Sequence, residues 1–287
     1  MKYRPKILVT GSNGQLGKEL QQLESYYPQF EFIFLSREDL PIHHFELVRN
    51  FFKGYHPDFF INCAAYTAVD RAETEKDLAF QVNGEAVGVL AAVCKEYGTK
   101  FLHISTDYVF DGTASAPYRE DAATNPQSVY GASKLEGEKE ALHFNSDTII
   151  IRTSWVYSEF GRNFVKTMIK LMNEKDQLYV VNDQIGSPTY AADIVGAIMQ
   201  IISSGKWFPG IYHYSNEGVI SWFDFAVAIR DLIGSSCKVT AIPTTSYPTP
   251  AKRPHYSVLD QSKITGSYGI ILKNWKESLK VCLDRLK

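Results

Sequence analysis

The chain has 287 residues, of which 45% are hydrophobic and 22% charged, and its formal net charge is −2. This is the profile of a soluble globular protein with one large domain or one and a half, and it gives no electrostatic reason to expect nucleic acid or a membrane as a partner. No apolar run approaches the roughly 20 residues that span a bilayer, the N-terminus shows no signal-peptide core, and the scattered cysteines suggest neither disulfides nor zinc, so we expect a cytoplasmic protein.

Short β-rich runs alternate with longer helical patterns through the first half of the chain. The strand-like runs are 7–9, 30–35, 59–63, 101–105 and 148–152, and the helical patterns are 15–23, 45–52, 85–97 and 129–142. The strands are too continuously apolar for burial on one side only. The alternation therefore predicts an α/β fold, a Rossmann-type doubly wound parallel sheet with helices on both faces.

The alternation loosens after about residue 155. Helical patterns at 163–172, 189–202 and 221–233 surround an apolar run at 178–181, and a stretch with four prolines at 242–257 predicts a surface loop. We predict a dinucleotide-binding domain of residues 1–155, to which segments around 178–204 return. Residues 156–287 are then mainly a smaller C-terminal substrate-binding lobe.

Glycines follow the first strand directly and open the first helix, in the stretch "TGSNGQLG". Gly11 permits a tight turn, Gly14 lets the backbone approach a pyrophosphate, and Gly17 lets helix and strand pack closely. The N-terminus of the helix then offers free N–H groups to the phosphates. The context of strand, glycine turn and helix predicts a dinucleotide site, although the spacing is G-x-x-G-x-x-G.

The end of the second strand is where the cofactor's adenosine ribose is recognised in such folds. The strand runs into Ser36, Arg37 and Glu38. A guanidinium and a hydroxyl suit a 2′-phosphate better than a free ribose. We therefore predict NADPH as the cofactor, with NADH as the alternative because Glu38 is adjacent.

Three polar groups are predicted to converge at the carboxyl edge of the sheet. Thr106 follows the fourth strand, and Tyr130 and Lys134 lie four residues apart on the next helix, hence on one face of it. Reduction of a carbonyl needs a proton for the oxygen, and a nearby cation favours a phenolate and lowers the pKa of a tyrosine. We predict Thr106, Tyr130 and Lys134 as catalytic, with Tyr130 as the proton donor.

Several longer motifs together resemble the extended short-chain dehydrogenase/reductases. They are "TGSNGQLG", "INCAAYTAVDRAE", "STDYVFDG", "YGASKLEGE", "IRTSWVY", "DQIGSPT" and "RPHYSVLDQSKI". The more specific of them resemble members that reduce the C4 keto group of a dTDP-linked sugar. The resemblance thus implies a reductase with a nucleotide-sugar substrate, working as a monomer or homodimer. Some members dimerise through a metal held by glutamates, but the matching glutamates are not found here and no metal is expected.

The resemblance also implies roles for individual residues. The cofactor contacts are Gly11, Asn13, Gly14, Gln15, Leu16 and Gly17 at the pyrophosphate, Ser36 and Arg37 at the ribose, Asp39 and Leu40 at the adenine, Ala64, Ala65 and Tyr66 along the dinucleotide, and Tyr130 and Lys134 at the nicotinamide end. The substrate contacts are Thr106, Asp107, Tyr130, Trp155 and Arg253.

Two other functions stay open on the sequence. A related enzyme could reduce or epimerise a different nucleotide-linked keto sugar, because fold and catalytic residues do not fix the substrate. The second possibility is a protein that is not an enzyme. The NADP-binding regulatory β subunit of methionine adenosyltransferase carries motifs similar to those of this chain. Turnover of a keto sugar, against capture of a stoichiometric partner, separates the two classes.

Overall fold

The structure is a computed structural model that describes residues 3–287. Its strands, in chain order, are β1 (Lys6–Thr10), β2 (Glu31–Leu35), β3 (Phe59–Asn62), β4 (Lys100–Thr106), β5 (Ile149–Thr153), β6 (Val156–Tyr157), β7 (Gln177–Val181), β8 (Ile185–Gly186), β9 (Thr189–Tyr190), β10 (Gly210–His213), β11 (Ile220–Ser221) and β12 (Lys238–Ile242).

The helices connect these strands. In chain order they are α1 (Gln15–Leu23), α2 (Phe45–Tyr55), α3 (Val69–Ala72), α4 (Lys76–Phe80), α5 (Ala86–Tyr97), α6 (Val129–Phe144), α7 (Phe164–Glu174), α8 (Ala191–Ser203), α9 (Trp222–Ile233), α10 (Ser262–Tyr268) and α11 (Trp275–Arg285). A π-helical turn, Gln81–Glu85, joins α4 and α5.

Within residues 3–287 the main sheet has six parallel strands in the order β10-β5-β4-β3-β1-β2. Successive β1 side chains point to opposite faces, so Ile7 and Val9 pack with α8, whereas Leu8 packs with α2 and α5. Both faces are covered by helices, which explains the continuously apolar strands. The predicted doubly wound Rossmann-type sheet is confirmed.

The later half of the chain differs in part from the expectation. α8 does return to the main sheet, but β7 pairs with β12 in a separate two-stranded sheet. The sixth main strand is instead β10, which pairs with β5. Pairing with β12 lets β7 bury Leu178 and Val180 against α7 and α9 in the core of the second lobe, so its apolar pattern is satisfied there.

The joined helix of residues 76–97 is long and apolar enough to cross a membrane, by length and composition alone. The expectation concerned uninterrupted apolar runs, and this helix is interrupted by Gln81, Asn83 and Glu85. Burial accounts for the composition, because 56% of its most apolar segment lies inside the protein. Val87 and Leu90 are fully buried against the sheet.

Candidate active site

A cavity of about 790 Å³ opens at the carboxyl ends of β1 to β5. In a doubly wound sheet this edge is where ligands bind, and here β1 is flanked by β2 on one side and β3 on the other. The predicted site residues that line the cavity are Gly11, Asn13, Gly14, Gln15, Leu16, Ser36, Arg37, Leu40, Ala64, Ala65, Tyr66, Thr106, Asp107, Tyr130, Lys134 and Trp155. The residues predicted for cofactor and for catalysis thus meet in one place.

The glycine turn between β1 and α1 has the geometry expected of a phosphate loop. Gly11 has a φ of +68°, in the left-handed region that favours glycine. A Cβ on Gly17 would lie 2.4 Å from the Gly11 carbonyl oxygen, so Gly17 allows α1 to pack on the turn and does not itself line the cavity. The exposed backbone of Asn13 and Gly14 then faces the cavity at the start of α1.

The turn after β2 places Arg37 and Ser36 at the cavity but turns Asp39 away. The Asp39 carboxylate accepts a hydrogen bond from the Ser36 backbone N–H at 2.9 Å, and the Ser36 hydroxyl accepts from the Glu38 and Asp39 N–H groups. This local network holds the Asp39 side chain within the turn, and the predicted adenine contact of Asp39 stays a prediction. Arg37 is exposed and lines the cavity.

Tyr130 and Lys134 lie in the first two turns of helix α6, and both line the cavity. Ser128 caps the helix by accepting from the Gly131 N–H at 3.1 Å. Lys134 is only 2% exposed and donates to the Ile104 carbonyl at 2.6 Å. Burial lowers the pKa of Lys134 to about 8, although Glu138 and Cys63 act in the opposite direction.

The pKa of Tyr130 is set mainly by burial. Burial raises the pKa of Tyr130 to about 12, although a hydrogen bond with the Thr106 side chain lowers it. Desolvation of the phenolate is the largest cause of this shift, and the predicted lowering by Lys134 together with an oxidised nicotinamide stays a prediction. At neutral pH Tyr130 is protonated and can act as an acid.

Asp107 lies beside Thr106 at the end of β4 and is 2% exposed. Its Oδ1 accepts from the Thr106 hydroxyl at 3.0 Å. Its Oδ2 has no hydrogen-bond partner in the part of the chain that the structure describes. Burial raises the pKa of Asp107 to about 6. A buried, half-satisfied carboxyl in the cavity wall is available to a polar ligand.

Trp155 presents its indole to the cavity from a strained backbone position. Its φ is +49°, a value that L residues rarely adopt. The indole stacks on Trp222 with ring centroids 3.6 Å apart and 10° between the planes. A Cβ on Gly186 would lie 2.7 Å from the indole, so the absence of a side chain there is also needed. Trp222 was not predicted, since a tryptophan at the start of a helix carries no local signal of this contact.

Arg253 lies at the rim of the site but is already paired. Its guanidinium donates to both carboxylate oxygens of Asp70, at 3.0 and 2.8 Å. Asp70 belongs to α3 and Arg253 to the proline-rich segment after β12, so this ion pair joins the cofactor side of the crevice to the second lobe. Arg253 does not line the cavity in this structure, and its predicted contact with a nucleotide diphosphate stays a prediction.

Other lining residues escaped the sequence analysis. They are Glu38, Ile42, His43, Cys63, Thr67, Val69, Leu78, Val82, Ile104, Ser105, Tyr108, Thr153, Val156, Gly161 and Arg162. Gly161 and Arg162 reach the cavity because Asn163 donates to the Gln15 amide oxygen at 2.9 Å, which ties their loop to α1. A glycine soon after "IRTSWVY" was the available signal for that loop.

The glycine turn, the parallel sheet and the Tyr130–Lys134 pair in one cavity define a reductase of the short-chain dehydrogenase/reductase type. Residues 5–287 match the family model described as the RmlD substrate binding domain, and the chain belongs to this family. A relative from Aggregatibacter actinomycetemcomitans, named dTDP-4-dehydrorhamnose reductase, is 42% identical, with 96% of this chain and 97% of the relative covered. The predicted family and the predicted oxidoreductase class are confirmed.

Two solved structures are similar over nearly the whole chain. A dTDP-4-dehydrorhamnose reductase from Clostridium acetobutylicum has a TM-score of 0.94 at 45% identity, covering 98% of this chain and 99% of that one. A second, from Bacillus anthracis, was solved in complex with NADP and has a TM-score of 0.94 at 37% identity, covering 99% of this chain and 100% of that one.

Proposed function

We propose that the protein reduces the C4 keto group of dTDP-4-dehydro-L-rhamnose to give dTDP-L-rhamnose, with NADPH as the reductant. The observation that carries this proposal is the convergence of the glycine turn, Thr106, Tyr130 and Lys134 on one cavity. The names of the relatives support the choice of substrate.

NADPH is the proposed cofactor, with NADH as the weaker alternative. The NADP complex of the relative from Bacillus anthracis supports this choice. In this chain Arg37 and Ser36 line the cavity beyond the glycine turn, where a 2′-phosphate would be held by charge-assisted hydrogen bonds. When bound, the cofactor supplies the hydride that reduces the sugar carbon.

The protein's own groups bind the substrate and deliver the proton. The Thr106 hydroxyl turns from its bond to Asp107 to hold the keto oxygen, and the Tyr130 phenol, protonated at neutral pH, donates a proton to that oxygen as the alcohol forms. Lys134 holds the nicotinamide ribose. Trp155 packs its indole against the sugar, and Asp107 accepts a hydrogen bond from a sugar hydroxyl.

The proposal is tested by mixing the purified protein with dTDP-4-dehydro-L-rhamnose and NADPH. We expect loss of NADPH absorbance and formation of dTDP-L-rhamnose. Tyr130→Phe keeps the ring but removes the proton, so kcat is expected to fall by roughly 10²- to 10⁴-fold. The Kd for NADPH, measured by fluorescence, is expected to stay within a few-fold of wild type.

A folded protein that binds NADPH but does not turn over this sugar would contradict the proposed substrate. Screening UDP-, GDP- and dTDP-linked keto sugars in the same assay then tests the alternative, a reductase of another nucleotide sugar. A Tyr130→Phe variant as active as wild type would contradict the proposed proton donor.

A further inference from the structure

Three lysine or arginine side chains line the cavity, and one of them has no role in the proposed reaction. Arg37 lies at the end where the 2′-phosphate is proposed to bind, and Lys134 lies at the nicotinamide end. The third is Arg162, in the segment between β6 and α7. Its side chain lines the cavity and is exposed, so it can meet an anionic ligand that enters from solvent.

The two residues that flank Arg162 both contact the first residue of helix α1. The Asn163 side-chain amide donates to the Gln15 amide oxygen at 2.9 Å. A Cβ on Gly161 would lie only 3.2 Å from Gln15 Cγ. Because Gln15 directly follows Gly14, these contacts hold the backbone of Arg162 beside the glycine turn.

Two acidic side chains close to this segment are engaged away from the cavity. The carboxylate of Glu159, three residues before Arg162, pairs with Arg285 at 3.1 Å. Glu19 is 1% exposed and accepts from the Ser158 hydroxyl at 2.7 Å. Neither carboxylate lines the cavity, so neither repels an anion that binds there.

The glycine turn offers a phosphate its backbone but no full positive charge. Residues 11–16 read GSNGQL and contain neither lysine nor arginine. The free N–H groups at the start of α1 supply only partial charge, whereas each phosphate of a dinucleotide carries a full negative charge. A guanidinium supplies the missing charge and can donate two parallel hydrogen bonds to phosphate oxygens.

We propose that Arg162 binds the pyrophosphate of the dinucleotide cofactor and completes the phosphate site that the glycine turn begins. Arg162 directly precedes α7, which packs in the core of the second lobe through Val165 and Met168. The bound cofactor therefore contacts both halves of the molecule. This inference rests on the proposed cofactor and makes no assumption about the sugar.

Two other anionic groups are proposed to bind in this cavity, and the strand order favours the pyrophosphate over both. The 2′-phosphate belongs at the turn after β2, and the substrate belongs with Thr106 and Asp107 at the end of β4. Strand β1 lies between β2 and β3, and β3 separates β1 from β4. The contacts with Gln15 hold Arg162 at the helix that follows β1, which is the position of the pyrophosphate.

The test compares the Kd values of NADPH and NADH, measured by fluorescence titration, for wild type and Arg162→Gln. Both cofactors contain the pyrophosphate, so we expect both Kd values to rise by the same factor, roughly tenfold. Arg37→Gln should instead raise the Kd of NADPH far more than that of NADH, because only NADPH carries a 2′-phosphate. Adenosine 2′-monophosphate contains no pyrophosphate, and in competition with NADPH it should bind Arg162→Gln as tightly as wild type.

A conservative variant and a salt titration separate the charge of Arg162 from its shape. Arg162→Lys keeps the charge but loses the paired hydrogen bonds, so its Kd for NADH should lie between those of wild type and Arg162→Gln. Added KCl should weaken NADH binding more steeply in wild type than in Arg162→Gln, because the variant has one fewer contact between full charges.

The matched control is Arg119→Gln, which removes the same charge from an exposed arginine outside the cavity and should change neither Kd. The side chain of Arg162 is exposed, so the melting temperature of cofactor-free Arg162→Gln should equal that of wild type.

Three results would overturn the proposal. Weaker binding of NADPH alone would assign Arg162 to the 2′-phosphate, and unchanged Kd values with a raised KM for the nucleotide sugar would assign it to the substrate's diphosphate. Unchanged Kd and KM would make it a solvated surface charge. The titrations contain no sugar, so a lack of turnover, which would contradict the proposed function, leaves their result standing.

Discussion

The carboxyl group of Asp107 is buried at a cost to the folded protein. Burial raises its pKa to about 6, above the value near 4 expected in the unfolded chain. A carboxyl whose pKa is higher in the folded protein than in the unfolded chain stabilises the folded protein at a pH below its pKa in the unfolded chain. This stabilisation is lost as the pH rises through 6. At pH 7.5 the ionised group therefore destabilises the native state. We expect Asp107→Asn to raise the free energy of unfolding by about 2 kcal/mol at pH 7.5.

Urea unfolding at pH 7.5 and at pH 4 checks this expectation, because the difference between Asp107→Asn and wild type should largely vanish at the lower pH. Asp111→Asn is the matched control of opposite sign. Hydrogen bonds from Thr113 hold the pKa of Asp111 below its usual range, so this variant should lose stability at pH 7.5. If Asp107→Asn is the less stable protein at pH 7.5, the assigned cost of burial is wrong.

Helix α6 depends on close backbone packing as much as on its own sequence. A Cβ on Gly131 would lie 2.2 Å from the Tyr108 carbonyl oxygen, and Gly131 is next to Tyr130 in the first turn. Alanine favours a helix by up to about 1 kcal/mol over glycine, but here the helix would have to move away from the β4 edge. We expect Gly131→Ala to lower stability by at least about 1 kcal/mol, and kcat by roughly tenfold, since Tyr130 and Lys134 move with it.

Gly196→Ala in α8 is the matched control, since no heavy atom of the described chain lies within 4 Å of that Cβ position outside the helix itself. It should stabilise the protein by about 0.5–1 kcal/mol and leave kcat unchanged. Chemical denaturation measures the stability of both variants, and steady-state kinetics measures their kcat. Equal effects of the two substitutions would show that packing of α6 does not position the site.

The sequence predicted the first five strands of the main sheet because a strand buried on both faces must be continuously apolar. β10 was missed, since "GIYH" is short and contains His213, which is buried through contacts with Arg152 and Phe110 that no local pattern reveals. Asp39 accepts a hydrogen bond from the Ser36 N–H within its own turn, a contact that the local sequence did not indicate. Local motifs specified the phosphate turn and the residues that face the cavity. Local motifs could not predict contacts between distant segments, such as that of Trp155 with Trp222.

The two halves of the molecule are joined across the crevice by Asp70 and Arg253, which are 183 residues apart in the chain. Both side chains are partly exposed, 41% and 25%, so the pair itself stabilises the protein by less than about 1 kcal/mol. If Arg253 also binds the substrate's diphosphate, as predicted, it both joins the two lobes and recognises the substrate, whereas Asp70 only joins the lobes. The two variants Asp70→Asn and Arg253→Gln therefore separate joining of the lobes from recognition of the substrate.

We expect Asp70→Asn to raise KM for the nucleotide sugar by only a few-fold, because it frees the guanidinium without removing it. Arg253→Gln should raise KM by roughly 10- to 100-fold, since it removes charge-assisted hydrogen bonds to the diphosphate. Arg119→Gln, an exposed arginine paired with Asp121 outside the cavity, is the control and should leave KM unchanged. Steady-state kinetics on the three variants and on the Asp70→Asn/Arg253→Gln double variant give the comparison. A KM for Arg253→Gln no higher than that for Asp70→Asn would mean that Arg253 only joins the lobes, and that other residues hold the diphosphate.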